Sequence, residues 1–512
     1  MIFENRLNNI KIGGVLLKEQ GADNEAGYIL LKPEDSVVVL PEGGRVGQVL
    51  SGTGIVLKED IPAGHKAAAK SIRKGTDVIK YGFAMGRASQ DIAAGAMVHV
   101  HNVESSLSAE WELDWNPSET SFQEPSGPVP VFSGYARKQG APGIRNELWI
   151  IPMVGCVNDY VKFLAEAYSL PPWIERIRVL SHPYGCSQLG EDLDRTAAVL
   201  EGLARNPCAA GVVLVGLGCE NLQRVFMETR LSDLQKARFF SLQEVDDDRE
   251  QLYSYLDELA EDAPKERTPF PLSEVTVGVK CGGSDGFSGL SANPLVGEAA
   301  DMICGWGGRV VATEIPEMFG AEHVIASRIS DRDVFTAFKD TIGWFRHYYD
   351  SHNQPVYENP SPGNKEGGIT TLEEKSLGAV NKCGSSPVND VLSMGAQARR
   401  RGVSVLFGPG NDLISTSAMA ASGAQIILFT TGRGNPYATV VPTVKISSNT
   451  NLFQRKPGWI DFDAGPLLSG ADRKEAARSL IALMTGIASG RQTRNEENRV
   501  GEIAIFRDGV TL

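Results

Sequence analysis

The sequence predicts an α/β protein that carries a small β-rich module at its N-terminus. Residues 1–104 show short apolar runs with Gly or Pro every few residues, which is typical of short strands joined by turns. From residue 131 onward, apolar runs of strand length alternate with amphipathic segments of helix length, as in a parallel sheet with crossover helices. The chain of 512 residues is long enough for about three domains.

The apolar runs of the module give its predicted strands. They lie at Tyr28–Leu31, Val37–Leu40, Gly54–Leu57, Asp77–Tyr81 and Ala96–Val100. Residues 105–130 are predicted to be a linker, because they hold five acidic residues, four prolines and no Lys or Arg.

Two α/β domains are predicted after the linker, residues 131–270 and residues 271–512. Charged stretches just before residue 270 indicate the boundary between them. The predicted strands are Leu148–Val154, Ile177–Ser181, Gly211–Leu217, Val275–Lys280, Arg309–Thr313, Val403–Phe407 and Gln425–Thr430. The predicted helices of the first of these domains are Asp159–Tyr168, Glu191–Arg205 and Asp248–Glu261.

Composition narrows the class of partner. With 63 acidic and 50 basic residues the net charge is −13, which argues against nucleic-acid and anionic-membrane partners and favours a small-molecule substrate. Seven cysteines are too few for a disulfide framework in a chain of this length, so we expect reduced thiols and a cytoplasmic protein. The apolar runs are shorter than a membrane span or a signal peptide requires.

Four cysteines share one sequence context. Each stands at the carboxyl end of a predicted buried strand: Cys156, Cys186, Cys219 and Cys281. Ligands of open parallel sheets bind at that edge, and neighbouring strands lie about 4.8 Å apart, so we expect the thiols to converge on an iron ion or an iron–sulfur cluster. The alternative is that each is a small buried apolar side chain. The second choice of metal ligands is His182, Glu314 and Glu317.

The module carries candidate acid–base residues. His65 and Lys66 stand in a predicted turn that opens a helix, and His99 and His101 alternate on a predicted strand, so they share one face. Histidine titrates near neutral pH, which suits proton transfer. A capping or solvent-facing role is the alternative for all of them.

The second α/β domain offers candidate anion-binding residues. Arg433 lies between two glycines directly after a predicted strand, where its guanidinium and the backbone amides are placed to hold a carboxylate. Asn364 and Lys365 stand in a Gly- and Pro-rich loop. The chain lacks both the P-loop ending and a strand-linked GxGxxG, which argues against nucleotide-dependent chemistry.

Together these motifs resemble the altronate dehydratase family, which also includes galactarate dehydratase. The resemblance covers nearly the whole chain and rests on GHK, VIKYG, HVHN, RNELWIIPMVGCVN, YGCSQLG, GLGCEN, CGGSDGFSGLSANP, EIPEMFGAE, ENPSPGNKEGGITTLEEKSLG, TTGRGNPY, WIDFDAG and GVTL. HVHN, SQLG and EMFGAE are more similar to altronate than to galactarate dehydratases.

The resemblance implies an enzyme that converts D-altronate to 2-dehydro-3-deoxy-D-gluconate and water in hexuronate breakdown. It implies dependence on Fe²⁺, with Mn²⁺ sometimes tolerated, and a dimer contact made by the middle domain. It also implies a β-clip-like N-terminal module and a Rossmann-like C-terminal domain. Loss of the C2 proton builds charge on the substrate carboxylate, which a divalent metal would stabilise; an iron–sulfur hydratase mechanism is the alternative.

The expected catalytic residues are His65, Lys66, His99 and His101, and the expected substrate-binding residues are Lys80, Asn364, Lys365 and Arg433. We expect the module to fold over the strand-end site and to supply His65 or His99 as acid or base. Competing hypotheses are galactarate dehydration, elimination of sulfite from a sulfolactate, a non-catalytic sugar-acid binder and a nicotinamide oxidoreductase.

Overall fold

The computed structural model of the chain describes residues 10–12, 15–17, 25–107, 111–124, 127–356 and 359–512. Its strand-built N-terminal module and its parallel sheets confirm the predicted α/β fold class. Among the described residues, no helix is both long enough and apolar enough to cross a bilayer.

The N-terminal module consists of short strands in three small sheets. The orders are β1-β2-β4-β5-β7-β10, β11-β9-β8 and β3-β6. The strands are β1 (Ile10–Ile12), β2 (Val15–Leu17), β3 (Glu25–Ala26), β4 (Ile29–Leu30), β5 (Val37–Val39), β6 (Val49–Leu50), β7 (Lys66–Ala68), β8 (Asp77–Lys80), β9 (Phe83–Ala88), β10 (Met97–Val98) and β11 (Val103–Glu104).

The module packs on the C-terminal domain through an apolar contact. Ile29, Leu31 and Val39 of the module form one buried cluster with Leu290, and Phe287 packs against it. This burial stabilises the position of the module on the body of the protein.

The linker lies along the C-terminal domain where the structure describes it. The Ser105 hydroxyl donates to the Glu373 carboxylate at 3.0 Å, Leu113 is buried, and the Trp115 indole donates to the carbonyl of Ile329 at 3.0 Å. The predicted linker is therefore in contact with the C-terminal domain at these residues.

The middle domain is a four-stranded parallel sheet in the order β14-β13-β15-β16 with helices around it. The central strand β13 is buried along its whole length, which requires cover on both faces of the sheet. Its elements are β13 (Glu147–Pro152), α1 (Asn158–Glu166), β14 (Arg176–Val179), α2 (Glu191–Arg205), β15 (Ala209–Gly216), α3 (Arg224–Arg230), β16 (Ala237–Ser241) and α4 (Asp248–Asp262). An antiparallel pair, β12 (Val131–Gly134) and β17 (Thr268–Pro271), flanks it.

The C-terminal domain is a seven-stranded parallel sheet in the order β20-β21-β19-β18-β22-β23-β24. Its strands are β18 (Thr276–Cys281), β19 (Arg309–Ala312), β20 (Val388–Leu392), β21 (Gly402–Leu406), β22 (Ile426–Thr431), β23 (Thr443–Ser447) and β24 (Phe462–Asp463). Its helices are α5 (Ala292–Gly305), α6 (Glu322–Ala326), α7 (Arg332–Ser351), α8 (Pro362–Glu366), α9 (Leu372–Ala379), α10 (Asp412–Ala421), α11 (Thr450–Arg455), α12 (Arg473–Ala488) and α13 (Arg494–Glu497).

The order of these strands creates a switch point. From β18 the chain first builds outward through β19, and later it returns to the other side of β18 at β22. Ligands of open α/β sheets bind outside the carboxyl ends of the strands at such a point. The middle and C-terminal domains share one continuous core, in which α2 packs against α10.

Candidate active site

A turn of the module meets two loops of the C-terminal domain at the switch point. Gly286, in the loop after β18, donates its amide to the carbonyl of Gly367 at 2.7 Å, and an added Cβ there would overlap the carbonyl of Gly64. The Lys66 ammonium crosses the same contact and donates to the carbonyl of Gly368 at 2.6 Å. The module therefore covers the carboxyl edge of the C-terminal sheet at the place where the topology favours a ligand.

Two buried lysines of the module share one carboxylate of the body. Lys66 and Lys80 lie 2.9 Å and 2.7 Å from the same oxygen of Glu374 on α9. Burial lowers the pKa of Lys66 to about 8, despite the attraction of Glu374. Burial alone would raise the pKa of Glu374, but the two ammonium groups outweigh it and lower that pKa to about 2.

The two imidazoles of His65 and His99 lie beside this ion pair, with ring centroids 5.2 Å apart. His65 Nδ1 is 3.3 Å from the carbonyl of Ala63, and His99 Nδ1 is 3.1 Å from the Thr370 hydroxyl of the body. Burial lowers both pKa values, that of His99 to about 4, and Lys66 contributes to both shifts. Both rings are thus neutral near pH 7 and able to accept a proton.

The local structure around the histidines differs from the prediction. His65 precedes strand β7 rather than a helix, because Lys66, Ala67 and Ala68 pair with neighbouring strands on both sides. The predicted strand through His99 ends at Val98, and a turn follows, since the Asn102 amide bonds back to the His99 carbonyl. The alternation argument therefore fails for His101, which is exposed on that turn.

Asp285 lies at the centre of the switch point. Its buried carboxylate accepts hydrogen bonds from the hydroxyls of Ser288 and Ser448, both at 2.8 Å, and from the Asn449 amide at 3.1 Å. Burial raises the pKa of Asp285 against these hydrogen bonds. A narrow cleft beside it is lined by both Asp285 and Glu374.

Most of the predicted substrate-binding side chains are already hydrogen-bonded or ion-paired within the protein. Asn364 forms the capping box of α8 together with the N-cap residue Ser361, and its side-chain amide donates to the carbonyl of Ser284 at 2.7 Å. Lys80 is buried on Glu374, as described above. Lys365 is partly exposed beside them, and within the described part of the chain its ammonium has no hydrogen bond or ion pair.

Arg433 is half exposed, donates to the Gly363 carbonyl at 2.9 Å and pairs with Glu366. The amides of Gly432 and Arg433 both donate to the Gly283 carbonyl. The expectation that these amides hold an anion is therefore wrong, because their hydrogens are already bonded.

A second charged cluster lies deeper at the same edge. Glu314 pairs with Lys280 and with Lys382, the latter at 2.9 Å, while Glu317 pairs with Lys375 at 2.9 Å. The Cys281 thiol lies 3.7 Å from Glu317, and burial together with Glu314 raises its pKa to about 12. Lys375 follows Glu374 in the sequence, so adjacent residues of α9 join this cluster to the module site.

The four strand-end cysteines divide between two sheets. Cys156, Cys186 and Cys219 follow β13, β14 and β15 of the middle sheet and are exposed, whereas Cys281 ends β18 of the C-terminal sheet and is buried. The expectation that all four share one point is therefore wrong, since it assumed one sheet.

His182 does not extend the cysteine set. Its Nε2 donates to the carbonyl of Pro152 at 2.7 Å and its Nδ1 accepts from the Tyr184 amide at 3.2 Å. Both ring nitrogens are thus occupied, which corrects the expectation that His182 binds a metal.

Sequence reasoning missed Glu374, Asp285 and the three lysines Lys280, Lys375 and Lys382. Asp285 offered a signal, since it follows a strand-end cysteine within a Gly-rich loop. Glu374 offered none, because an acidic residue in the helical stretch LEEKSL is usually solvent-facing.

Comparison with known proteins agrees with this architecture. Residues 26–106 match the altronate/galactarate dehydratase SAF domain, residues 134–264 match the D-galactarate dehydratase/altronate hydrolase second domain, and residues 272–511 match the D-galactarate/altronate dehydratase C-terminal domain.

Three relatives cover nearly the whole chain. An altronate dehydratase of Bacillus subtilis is 45% identical over 95% of this chain and 99% of its own length, and one of Escherichia coli is 42% identical over 95% and 100%. A galactarate dehydratase (L-threo-forming) of Escherichia coli is 32% identical over 91% and 94%.

The family models and these relatives define a hydro-lyase of the sugar-acid dehydratase class. The chain belongs to the altronate/galactarate dehydratase family.

Proposed function

We propose that the enzyme removes water from D-altronate to give 2-dehydro-3-deoxy-D-gluconate, a step of hexuronate breakdown. The choice of altronate over galactarate is supported by the higher identity to the altronate dehydratases than to the galactarate dehydratase. The reaction needs a base for the C2 proton, an acid for the C3 hydroxyl and positive charge near the substrate carboxylate.

One observation carries the location of the site: His65, His99 and Lys66 of the module meet Glu374 of the body at the switch point. Burying a lysine of the module against a carboxylate of another domain costs desolvation free energy. We would not expect such a buried ion pair if the module were not involved in the function of the rest of the protein. Proton-transfer groups in the contact between two domains are typical of a site that closes over its substrate.

His65 is the proposed base. A carbonyl oxygen only accepts hydrogen bonds, so the contact with Ala63 places the ring proton on Nδ1 and leaves the Nε2 lone pair free to take the C2 proton. His99 is anchored by Thr370 and supports the orientation of the neighbouring ring.

Lys66 is the proposed acid. With a pKa of about 8 its ammonium is charged near neutral pH, yet it gives up a proton more readily than an ordinary lysine. The C3–O bond breaks as Lys66 protonates the leaving hydroxyl to water, and the enol product then becomes the 2-keto acid. The proton held by His65 restores the ammonium. Because Lys66 acts while protonated, we expect activity to fall as the pH rises through about 8.

Lys365 is the proposed partner of the substrate carboxylate. It is partly exposed next to the module contact, and its ammonium has no partner within the described part of the chain. Arg433 lies on the same loops but is already paired with Glu366, so a substrate would have to displace that carboxylate.

Ferrous iron, with manganese as a substitute, remains part of the proposal, and two donor sets differ in how well they suit it. Cys281, Glu314 and Glu317 lie within 4.8 Å of one another, but both carboxylates are ion-paired with lysines. The exposed thiols of Cys156, Cys186 and Cys219 suit iron better, because thiolates are soft ligands. Bound iron would supply Lewis-acid chemistry.

The test is turnover of a panel of aldonates and aldarates by the reduced, iron-supplied protein, with the 2-keto-3-deoxy acid measured as product. We expect D-altronate to be converted with a kcat/KM at least about tenfold above that of galactarate, equivalent to about 1.4 kcal/mol. Equal or faster conversion of galactarate would overturn the substrate assignment.

A cytoplasmic homodimer completes the proposal. All seven cysteines are free, which supports a reducing compartment. Light scattering of the purified protein would give twice the chain mass of 55.2 kDa if the dimer forms.

A further inference from the structure

Three cysteines form a separate group in the middle domain. Cys156, Cys186 and Cys219 are exposed, whereas the other four cysteines of the chain are buried. They follow three adjacent parallel strands, β14, β13 and β15, so they lie at one edge of one sheet. The fourth strand of that sheet, β16, ends at Ser241, and no cysteine follows it before β17.

Hydrogen bonds fix the three loops against one another. The Gly155 amide donates to the Tyr184 carbonyl at 2.9 Å, and the Leu222 amide donates to the Gly185 carbonyl at 3.0 Å. The loop of Cys186 is therefore bonded to the loops of both other cysteines.

A glycine makes this contact between the loops fit. Gly185 has a φ of +99°, and an added Cβ would overlap the carbonyl of Met153 just before Cys156. The loop of Cys186 can thus lie directly on the loop of Cys156 only because this residue has no side chain.

The loops that carry the three thiols contain no Lys or Arg. No Lys or Arg occurs in residues 153–159, 181–190 or 216–223, whereas Cys281 has Lys280 and Lys382 beside it. Beneath the loop of Cys219, the carboxylate of Glu220 is only 2% exposed, and its Oε1 has no hydrogen-bond partner although Oε2 accepts from the Gly218 amide.

The spacing of the sulfurs argues against a single ion held by all three thiols. The three thiols do not all lie within 4.8 Å of one another, a separation that among the described residues only Cys281, Glu314 and Glu317 reach as a group. A single ion holds its sulfurs at about 2.3 Å and so brings them close together, whereas a cluster adds its metal–metal separation. His182 offers no fourth ligand, because both its nitrogens are occupied.

We propose that Cys156, Cys186 and Cys219 bind a [4Fe–4S] cluster through three thiolates and leave one iron without a protein ligand. Cubane clusters with four cysteines are saturated, so a three-cysteine site keeps one coordination position for water or for an oxygen ligand such as a sugar-acid hydroxyl. The cluster site is defined by the middle domain alone and does not depend on where altronate is dehydrated.

The test is anaerobic reconstitution of the full chain with Fe²⁺, sulfide and a thiol reductant, followed by iron and acid-labile sulfide analysis and Mössbauer spectroscopy. We expect about four irons and four sulfides per chain, with one iron spectroscopically distinct. Cys156→Ser, Cys186→Ser and Cys219→Ser should each lower bound iron and sulfide at least about tenfold. Cys281→Ser and Cys304→Ser are the matched controls and should retain both.

The readouts separate this proposal from the proposed function, because the cluster is measured without substrate. Iron without sulfide, or zinc at one ion per chain, would overturn the cluster in favour of a single-ion site. Equal cluster content in the controls and in the variants of Cys156, Cys186 and Cys219 would overturn the ligand assignment. Circular dichroism and thermal melting establish that each variant is folded, which matters most for the two controls because Cys281 and Cys304 are buried, whereas the other three replaced thiols are exposed.

Discussion

The carboxyl edges of the two parallel sheets present cysteines in the same sequence context and in opposite environments. In the middle sheet three thiols are exposed and have no Lys or Arg in their loops. In the C-terminal sheet Cys281 is buried among Lys280, Lys382 and two glutamates, beneath an edge that the module covers. All four cysteines thus share a position at the end of a strand. They differ in burial, because the module covers the edge of the C-terminal sheet and leaves the edge of the middle sheet open.

The proton transfer that we propose lies at the covered edge, and the metal binding that we propose lies at the open edge. In the metal-free chain, burial and Glu314 raise the pKa of the Cys281 thiol to about 12. The covered edge keeps its charges in pairs, such as Lys66 with Glu374.

The largest expected effect on stability and activity comes from removing the ion pairs of Glu374 at the covered edge. Glu374→Gln leaves Lys66 and Lys80 buried beside a neutral amide, so we expect a loss of about 3–5 kcal/mol of unfolding free energy and near-complete loss of activity. Urea denaturation and the product assay measure the two effects. Glu366→Gln, at an exposed carboxylate, is the control, and a stability change for Glu374→Gln as small as that of the control would contradict the argument.

The histidines test whether the covered edge is catalytic or only structural. We expect His65→Ala to lower kcat at least about 10²-fold, with a smaller loss for His99→Ala and little change in Tm for either, because general-base catalysis contributes at least that factor. His101→Ala is the matched control on the adjacent turn and should keep full activity. Near-wild-type kcat in both His65→Ala and His99→Ala would show that these histidines of the module have only a structural role.

Alkylation of the metal-free protein sharpens the contrast between the two edges. A maleimide should modify Cys156, Cys186 and Cys219 in the native state at least about tenfold faster than Cys208, Cys281, Cys304 and Cys383, which require unfolding. Peptide mass spectrometry after timed quenching gives the rate at each site. Rapid modification of Cys281 in the native state would show that the module does not keep its edge closed.

The smallest effect concerns pH. The pKa of Glu374 is about 2 in the folded chain against 4.5 as its ordinary value, so the unfolded state takes up the proton first as the pH falls. Its stabilisation is complete above pH 4.5 and is lost progressively toward pH 2. The difference in unfolding free energy between wild type and Glu374→Gln should therefore narrow from about pH 6 to about pH 3. If this difference in unfolding free energy did not change with pH, the ionised Glu374 carboxylate would not be the source of the stabilisation.

These tests address residues that differ in how far the sequence predicts them. The strand ends at Cys156, Cys219 and Cys281 follow from local apolar runs, and the structure has strands there. Which sheet each strand joins depends on long-range pairing that no local run encodes, and for this reason the sequence context alone groups Cys281 with the other three cysteines.

The candidate acid–base residues show the same limit. His65 and His99 could be selected by residue type, whereas their orientation follows from Ala63 and Thr370. The burial of Glu374 could not be predicted, because it requires the module to dock on α9 from a distant part of the chain. The prediction that His99 and His101 alternate on a strand failed for a local reason, because the strand ends at Val98, one residue before His99.

The ion pair between the module and α9 also has a consequence during synthesis. Lys80 precedes Glu374 by 294 residues, a stretch that a ribosome needs roughly 15–60 s to translate at about 5–20 residues per second. For that time the module has no partner for Lys66 or for its apolar face at Ile29, Leu31 and Val39, and water keeps the ammonium groups solvated. The covered edge is therefore completed only after the C-terminal domain has emerged, and until then this apolar face of the module stays exposed to water.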